Sequence, residues 1–146
     1  MSTSSRVIAQ EGSEMSVRLY RDEDLGALQR MHAKQGFEYE FPNLNDPLFI
    51  SKLVMEDCHG EPVMAGLARL TCETYLLIDP GVDSPRERYA RLRRLGQAGE
   101  EHLRQCGLVD AHAWLPPRIA KRFGRRLSGL GWLRDDRWTP YCKRFA

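Results

Sequence analysis

A clearly marked helix between two strand-like segments is the feature of this sequence that does most to limit its fold. Ser84-Pro85-Arg86-Glu87 places Ser at the cap, Pro at the first helical position and Glu three residues after the cap, which is a capping box. This pattern predicts a helix over residues 84–105. Strand-like runs precede and follow it at residues 74–79 and 109–115. A strand, a helix and a strand in this order predict a crossover unit, with helices packed on a sheet.

The remaining segments predict a mixture of short strands and helices. Pro, Gly and acidic residues mark the turns and helix ends. Before residue 74 we predict a strand over 17–21 with Val17 and Leu19 on one face, a helix from Asp22 to Gly36, an aromatic loop leading into a short helix near 47–52, and hairpin strands over 53–57 and 63–71. After the strand at 109–115 we predict a helix from Pro116-Pro117 to Gly131 and terminal strands over 132–134 and 138–145.

This order predicts an α/β (α+β) fold built on a mixed, mostly antiparallel twisted sheet with helices on both faces. The strands at 53–57, 63–71 and 74–79 read as an antiparallel meander. We expect one domain over residues 15–146 after a flexible tail at 1–14, because the length suits a single core. The buried stripes of the two later helices are expected to contain Tyr89, Leu92, Leu95, Gly96, Gly99 and Leu103, with the glycines close to the sheet, and Ile119, Phe123, Leu127 and Leu130.

Composition excludes several classes of protein. No window approaches 18 uninterrupted apolar residues, so no membrane span is expected, and residues 1–14 lack the apolar run of a secretory signal. A cytoplasmic location is therefore expected. The cysteines are scattered and form no Cys-x-x-Cys pair, so we expect neither a disulfide framework nor a metal site.

Charge is distributed unevenly along the chain. Residues 1–84 hold 7 Lys/Arg and 14 Asp/Glu, a net charge of −7, whereas residues 85–146 hold 15 and 6, a net charge of +9. A basic half can attract phosphate-bearing ligands such as a coenzyme or a nucleic acid, but a solvated basic face is the favoured explanation, since charge alone does not specify a partner. The basic residues of the two later helices are Arg86, Arg88, Arg91, Arg93, Arg94, Arg118, Lys121, Arg122, Arg125 and Arg126.

Three segments carry a resemblance to a known family. Residues 17–25 (Val-Arg-Leu-Tyr-Arg-Asp-Glu-Asp-Leu) form a strand that runs into an acidic-capped helix, residues 76–80 read Leu-Leu-Ile-Asp-Pro, and residues 120–132 end in Leu-Gly-Trp. In order and spacing these segments resemble the GNAT (N-acetyltransferase) superfamily over residues 15–146. The resemblance implies an acyl-CoA-dependent N-acetyltransferase that uses acetyl-CoA as co-substrate and acts on a small-molecule or protein amine.

The coenzyme loop departs from the family pattern. GNAT enzymes hold the pyrophosphate on a loop of the type Arg/Gln-x-x-Gly-x-Gly/Ala, whose glycines let backbone N–H groups reach phosphate. Here no glycine follows Gly81, Pro85 has no N–H, and a capping box would occupy Ser84 and Glu87. Arg86 and Arg88 are candidates to compensate by side-chain contacts to phosphate. The resemblance thus assigns coenzyme contacts to Leu77, Ile78, Ser84, Arg86 and Arg88.

Candidate catalytic residues follow from the needs of acyl transfer, which are a base for the amine, an oxyanion donor and a proton for the thiolate. In the family the oxyanion donor is largely backbone N–H of the strand beside the coenzyme. Glu73 is a candidate base, or an exposed hairpin residue. His112 is a candidate base or proton relay, or a packed histidine. Tyr141 is a candidate acid, or a core residue, because Ala120 and Leu127 stand where the family commonly has Asn and Tyr.

Two functional hypotheses remain close to parity. One is an N-acetyltransferase with an atypical coenzyme site, and the other is a catalytically inactive GNAT-fold module that binds a protein or a small molecule. Nucleic-acid binding through the basic helices ranks well behind both. Exposed terminal strands also suggest a homodimer as a hypothesis.

Overall fold

The chain has a mixed α/β architecture and divides into two compact units. The computed structural model describes residues 6–8 and 16–145. The units are Met1–Leu70 and Thr71–Ala146, and each is described by itself. The single domain over residues 15–146 stays a prediction. Most of the predicted tail, residues 1–14, lies outside the described residues, except that Arg6–Ile8 form a strand.

The first unit is built on a four-stranded antiparallel sheet. Its strands are β1 (Arg6–Ile8), β2 (Ser16–Leu19), β3 (Phe49–Glu56) and β4 (Pro62–Arg69), in the order β1-β2-β3-β4. The turn between β3 and β4 is held by Asp57, whose carboxylate accepts hydrogen bonds from the N–H groups of His59 and Glu61 at 2.9 and 3.0 Å. These bonds lower the pKa of Asp57 below its usual value. The predicted hairpin is therefore confirmed.

A helix packs on this sheet and completes a small core. A 3₁₀ turn at Asp22–Asp24 leads into α1 (Leu25–Gln35). The core consists of Leu28 from α1, Leu44 from the following loop and Val54 from β3, which are 3%, 4% and 0% exposed. Partly buried aromatic side chains surround it, including Tyr20, Phe41 and Phe49. The helix predicted from Asp22 to Gly36 is therefore confirmed.

Gly36 ends α1 in the left-handed region, with φ at +69°. A Cβ at this position would meet nothing within 4 Å, so a side chain would cost backbone strain and cause no collision. We expect Gly36→Ala to lower the free energy of unfolding by about 1 kcal/mol, and Gly36→Asn to lower it less, because Asn tolerates this conformation. Urea unfolding of the three proteins measures the difference. Equal losses for Ala and Asn would contradict the backbone explanation.

The short helix predicted near residues 47–52 is wrong. Strand β3 begins at Phe49 and pairs with β4 as far as Glu56, with register shifts between Phe49 and Ser51 and between Met55 and Glu56. Asp46 forms a turn here instead of capping a helix, since its carboxylate accepts a hydrogen bond from the N–H of Leu48 at 2.9 Å and its carbonyl accepts one from Phe49 at 3.0 Å. The turn redirects the chain into the sheet, where Leu48 is buried.

A buried ion-pair network joins β2, the 3₁₀ turn and β3. The guanidinium of Arg18 donates two hydrogen bonds to the Asp24 carboxylate, both at 2.7 Å, and its Nε bonds to Glu56. The side chains of Arg18 and Asp24 are 7% and 6% exposed. Hydrogen bonds from Arg18 hold the pKa of Asp24 and of Glu56 below their usual values. The network fixes where the chain leaves β2 and enters α1.

The second unit contains two helices and a very small sheet. The helices are α2 (Pro85–Gln105) and α3 (Pro117–Gly129), and the sheet pairs β5 (Cys72–Glu73) with β6 (Ala111–His112) in parallel. Both predicted helices are confirmed. The capping box also forms, because the hydroxyl of Ser84 accepts a hydrogen bond from the N–H of Glu87 at 3.2 Å and the carboxylate of Glu87 accepts one from the N–H of Ser84 at 2.8 Å.

The strands predicted in this unit are mostly wrong. Residues 74–79 form no strand and join no antiparallel meander, and the strand predicted at 109–115 is reduced to β6. No strand occurs at 132–134 or 138–145. There Asp135 and Asp136 pair with arginines two residues away, Asp135 with Arg137 at 3.0 Å and Asp136 with Arg134 at 2.8 Å. These exposed pairs lie beside a turn at residues 136–137.

The buried stripes predicted for the later helices are also not observed. No described residue of α2 or α3 is buried, and a Cβ at Gly96 or Gly99 would meet nothing within 4 Å. The glycines therefore do not mark a close approach to a sheet. In α3 the stripe is half-buried at Phe123 and Leu127, while Ile119 is exposed.

Candidate functional site

A cleft of about 540 Å³ lies within the second unit, between residues 76–83 and one face of α2. Most of its lining is apolar, and arginines and aspartates supply the polar part. It is lined by Leu76, Leu77, Ile78, Asp79, Val82, Asp83, Arg88, Arg91, Leu92, Arg94, Leu95 and Ala98. A concave, mostly apolar site with a few charged groups is the usual form of a small-molecule site.

The helical wall of the cleft follows from residue spacing. Arg88, Arg91, Leu95 and Ala98 recur every three or four residues, so they lie on one face of α2 over about three turns. This length is about 15 Å at the rise of an α-helix. The wall carries cationic side chains near the start of the helix and apolar side chains further along. It suits a ligand that has an anionic end and an extended apolar arm.

The opposite wall contains backbone N–H groups that have no partner among the described residues. The hydrogen bond from the N–H of Thr74 to the carbonyl of His112, at 2.7 Å, is the last backbone hydrogen bond from this segment to the small sheet among the described residues. Across the described part of the chain, no backbone carbonyl accepts from the N–H groups of Leu76, Leu77 or Ile78. These groups lie where the segment lines the cleft. They are available to a ligand that lies along the segment.

The arginines of the cleft differ in how many hydrogen bonds and ion pairs they form with the described residues. Nη1 of Arg88 donates to the carbonyl of Asp83 at 2.9 Å and to those of Pro80 and Val82 at 3.4 Å. Arg91 pairs with the Asp83 carboxylate at 2.5 Å. Arg94 makes no ion pair or hydrogen bond with any residue that the structure describes. Arg94 is thus the cation of the cleft most available to an external anion.

Asp83 holds the loop in an uncommon conformation. Its φ is +64°, the one positive value among the described residues other than glycine. The side chain binds Arg91 and the carbonyl binds Arg88. Two arginines therefore stabilise a backbone geometry that an L-residue adopts at a cost. The loop is shaped by the same helix face that forms the cleft.

The start of α2 is occupied by its own cap. Ser84 and Glu87 satisfy each other, and the hydrogen bond from the N–H of Ser84 is the main cause of the lowered pKa of Glu87. Glu87 therefore stays ionised near neutral pH beside the position where a phosphate would bind. Arg86 is exposed and does not line the cleft. The structure brings Leu77, Ile78 and Arg88 together, but Ser84 and Arg86 are outside the lining.

The candidate catalytic residues are only partly brought together. Glu73 and His112 are direct partners across the parallel pair β5–β6, so their side chains are neighbours. Both are exposed, and the His112 ring stacks on Trp114 with centroids 6.0 Å apart. Tyr141 is 95% exposed, and no contact links it to this pair within the described chain. Its role as an acid stays a prediction.

Three residues at or near the candidate site are missed by the sequence interpretation. Arg91 and Arg94 line the cleft, and the repeated spacing of three residues from Arg88 to Arg91 and from Arg91 to Arg94 was a usable signal for them. Tyr75 is the third, since a hydrogen bond to Glu73 raises its pKa. The alternation of an extended segment puts residues 73 and 75 on one side, which was also a usable signal.

Comparisons with protein-family models, curated proteins and solved structures found no match to this chain. Among the described residues, none of the helices is both long and apolar enough to cross a membrane. The same residues contain no group of three or more His, Cys, Asp or Glu side chains placed to hold a metal ion.

Proposed function

We propose that this chain is a divergent member of the GNAT superfamily that transfers an acyl group from acyl-CoA to an amine. The observation that carries the proposal is the cleft of the second unit. It joins Leu77, Ile78 and Arg88, which the resemblance assigns to coenzyme binding, in one concave surface. The GNAT-like sheet with helices on both faces and the cytoplasmic location belong to the same proposal.

The cleft matches the chemistry of the donor in three respects. The unpaired N–H groups of residues 76–78 suit the amide-bearing arm of CoA, which can lie along an extended segment as an added strand does. Arg91 and Arg94 suit the pyrophosphate, because a guanidinium binds phosphate through paired N–H donors. Leu92 and Leu95 supply apolar surface in the same cleft. Phosphate binding in this site rests on side chains, since the cap occupies the start of α2.

The proposed reaction needs few groups. The amine nitrogen attacks the thioester carbonyl, the new C–N bond forms, and the C–S bond breaks as the thiolate leaves. Glu73 and His112, whose side chains are neighbours across the β5–β6 pair, are the groups that we assign to take the amine proton. A backbone N–H of residues 76–78 would stabilise the oxyanion. Tyr75 and Tyr141 are the phenols available to protonate the thiolate.

A second candidate is a GNAT-fold module that binds a ligand without catalysis. The capping box favours it, because Ser84 and Glu87 are engaged with each other and Glu87 adds a negative charge at the helix start. The exposure of Tyr141 also favours it. A small-molecule or protein partner would then occupy the cleft.

The first test is ligand binding to the cleft. We expect a saturable rise in the thermal unfolding midpoint with acetyl-CoA and with CoA, and a smaller rise with inorganic phosphate. Arg94→Gln is expected to weaken coenzyme affinity about tenfold, the loss of one charge-assisted contact. Arg93→Gln is the matched control, because Arg93 is also exposed on α2 but does not line the cleft. If Arg94→Gln and Arg93→Gln bound the coenzyme with equal affinity, the cleft would not be the coenzyme site.

Glu87→Gln sharpens this test. Gln retains the capping box but carries no charge, so the variant is expected to bind CoA more tightly than the native chain. A change of this sign separates a phosphate site from an apolar pocket, which would not respond to the charge at residue 87.

Catalysis is tested separately from binding. Glu73→Gln and His112→Ala are expected to lower the rate of amine acylation by about 10²–10⁴-fold, the usual range for a general base, with CoA affinity unchanged. Coenzyme binding with no acylation across a broad amine panel would favour the binding module.

A further inference from the structure

Helix α3 presents a continuous cationic surface that the proposed acyl transfer does not use. Its sequence contains five basic residues and no acidic residue. All five are exposed. At 100° per residue they fall within an arc of about 140°. We call this the α3 basic face, and it consists of Arg118, Lys121, Arg122, Arg125 and Arg126.

The charges on this face are not neutralised within the described chain. None of the five side chains forms an ion pair with a described residue. Other exposed arginines of the same unit do pair locally, such as Arg104 with Glu100 at 2.5 Å and Arg134 with Asp136 at 2.8 Å. Residues 71–146 hold 15 Lys/Arg and 9 Asp/Glu, a net charge of +6. The face is therefore a concentrated positive patch on a unit that is itself basic.

The apolar side of α3 bears on whether its basic face would bind nucleic acid or an anionic membrane surface. Phe123 and Leu127 lie outside the basic arc and are half-buried. A helix that lies on a membrane inserts its apolar face into the lipid while its cations contact the headgroups. Here these two apolar side chains are already half-buried whereas the cations are exposed, so the cationic arc is the part left for a partner. This arrangement fits a rigid polyanion better than a lipid surface.

We propose that the α3 basic face binds the phosphate backbone of nucleic acid without sequence specificity. The five cations span about 12 Å along the helix axis. Duplex DNA carries one negative charge per about 1.7 Å of its axis, so about seven phosphate charges lie over the same length. Contacts to phosphate position a protein without reading sequence.

The test is the salt dependence of binding to a short fluorescent DNA duplex of mixed sequence and to a single-stranded RNA. For the duplex, five phosphate contacts predict that affinity falls about 500-fold as salt rises from about 50 to 200 mM. The Arg122→Gln/Arg125→Gln double variant removes two contacts, so its fall over this range is expected to be about 40-fold. Both proteins should bind unrelated sequences with equal affinity.

Arg134→Gln/Arg137→Gln is the matched control, since it removes the same charge from the same unit but outside α3. It should retain the native salt dependence. A salt response independent of Arg122 and Arg125 would overturn the proposal. Binding to phosphatidylserine vesicles but to neither nucleic acid would also overturn it and indicate a membrane partner. The residues of α3 do not line the cleft, so this result and the coenzyme result are separate outcomes.

Discussion

Replacement of Arg18 by Met is expected to lower the free energy of unfolding by about 3–5 kcal/mol, the usual cost of removing one partner from a buried ion pair. Arg18 donates two hydrogen bonds to Asp24, whose side chain is 6% exposed. Without the guanidinium, the carboxylate stays buried and its charge is uncompensated. A domain of this size is stable by only about 5–15 kcal/mol. The variant would therefore be close to unfolding at 37 °C.

Urea unfolding, together with hydrogen exchange of the β3 amides, measures this loss and locates it in the first unit. Arg18→Met/Asp24→Asn should recover a large part of the stability, because it removes the unpaired charge as well. Arg104→Met is the surface control, since Arg104 and Glu100 are both more than half exposed. It is expected to change the free energy by no more than about 0.5 kcal/mol. A double variant no more stable than Arg18→Met would contradict a charge-based explanation.

The dependence on pH should differ in sign between the native chain and Arg18→Met. In the native chain the pKa of Asp24 and of Glu56 is lowered by Arg18, so their contribution is complete above the unfolded pKa of about 4 and is lost as pH falls. In Arg18→Met the main cause of the lowered pKa is lost. Burial raises the pKa of Asp24 and is a larger cause than the hydrogen bond from the N–H of Arg21 that lowers it, so we expect this pKa to lie above its unfolded value. Stability of the variant then falls as pH rises through that pKa. The two proteins should therefore differ less at pH 4 than at pH 7.

The elements that could be predicted from the sequence are those fixed by local contacts. The capping box at Ser84 and Glu87, the αL end of α1 at Gly36 and the hairpin turn at Asp57 are all formed by side chains and backbone within a few residues. Their energies come from hydrogen bonds and backbone preferences that the local sequence encodes. Helices α1, α2 and α3 were predicted correctly for this reason.

The strands of the second unit could not be predicted, because a strand needs a partner. Residues 74–79 are apolar and β-branched enough to suit a strand, yet the ladder ends at Thr74 and Leu77 is 93% exposed. In β2 the apolar residues Val17 and Leu19 were expected on one face, whereas the structure buries Arg18 on the other. Only Asp24 and Glu56, brought close by folding, explain why a charged residue is buried there.

The candidate site was also predicted only where its residues are close in sequence. Leu77, Ile78 and Arg88 meet in the cleft because a short loop joins their segments. Glu73 and His112 are 39 positions apart, and their pairing depends on β5 and β6 meeting in one register. No local signal fixes such a register.

Leu28→Ala is expected to destabilise the chain by about 3 kcal/mol, within the range measured for leucines in close-packed cores. Leu28 is 3% exposed and lies against Leu44 and Val54, so truncation leaves a cavity among side chains that belong to different elements. Leu28→Met retains the volume and should cost less than about 1.5 kcal/mol. Urea unfolding of the two variants separates lost packing from altered chemistry.

Leu95→Ala removes the same atoms from a leucine that is 59% exposed and lines the cleft. Little packing is lost there, so its unfolding free energy should stay within about 0.5 kcal/mol of the native value. Coenzyme affinity should fall, because the apolar wall of the cleft is reduced. Leu28→Ala is thus expected to lower stability, whereas Leu95→Ala is expected to lower coenzyme affinity. A Leu95→Ala variant that loses stability as Leu28→Ala does would mean that the cleft is packed as a core and is not open to a ligand.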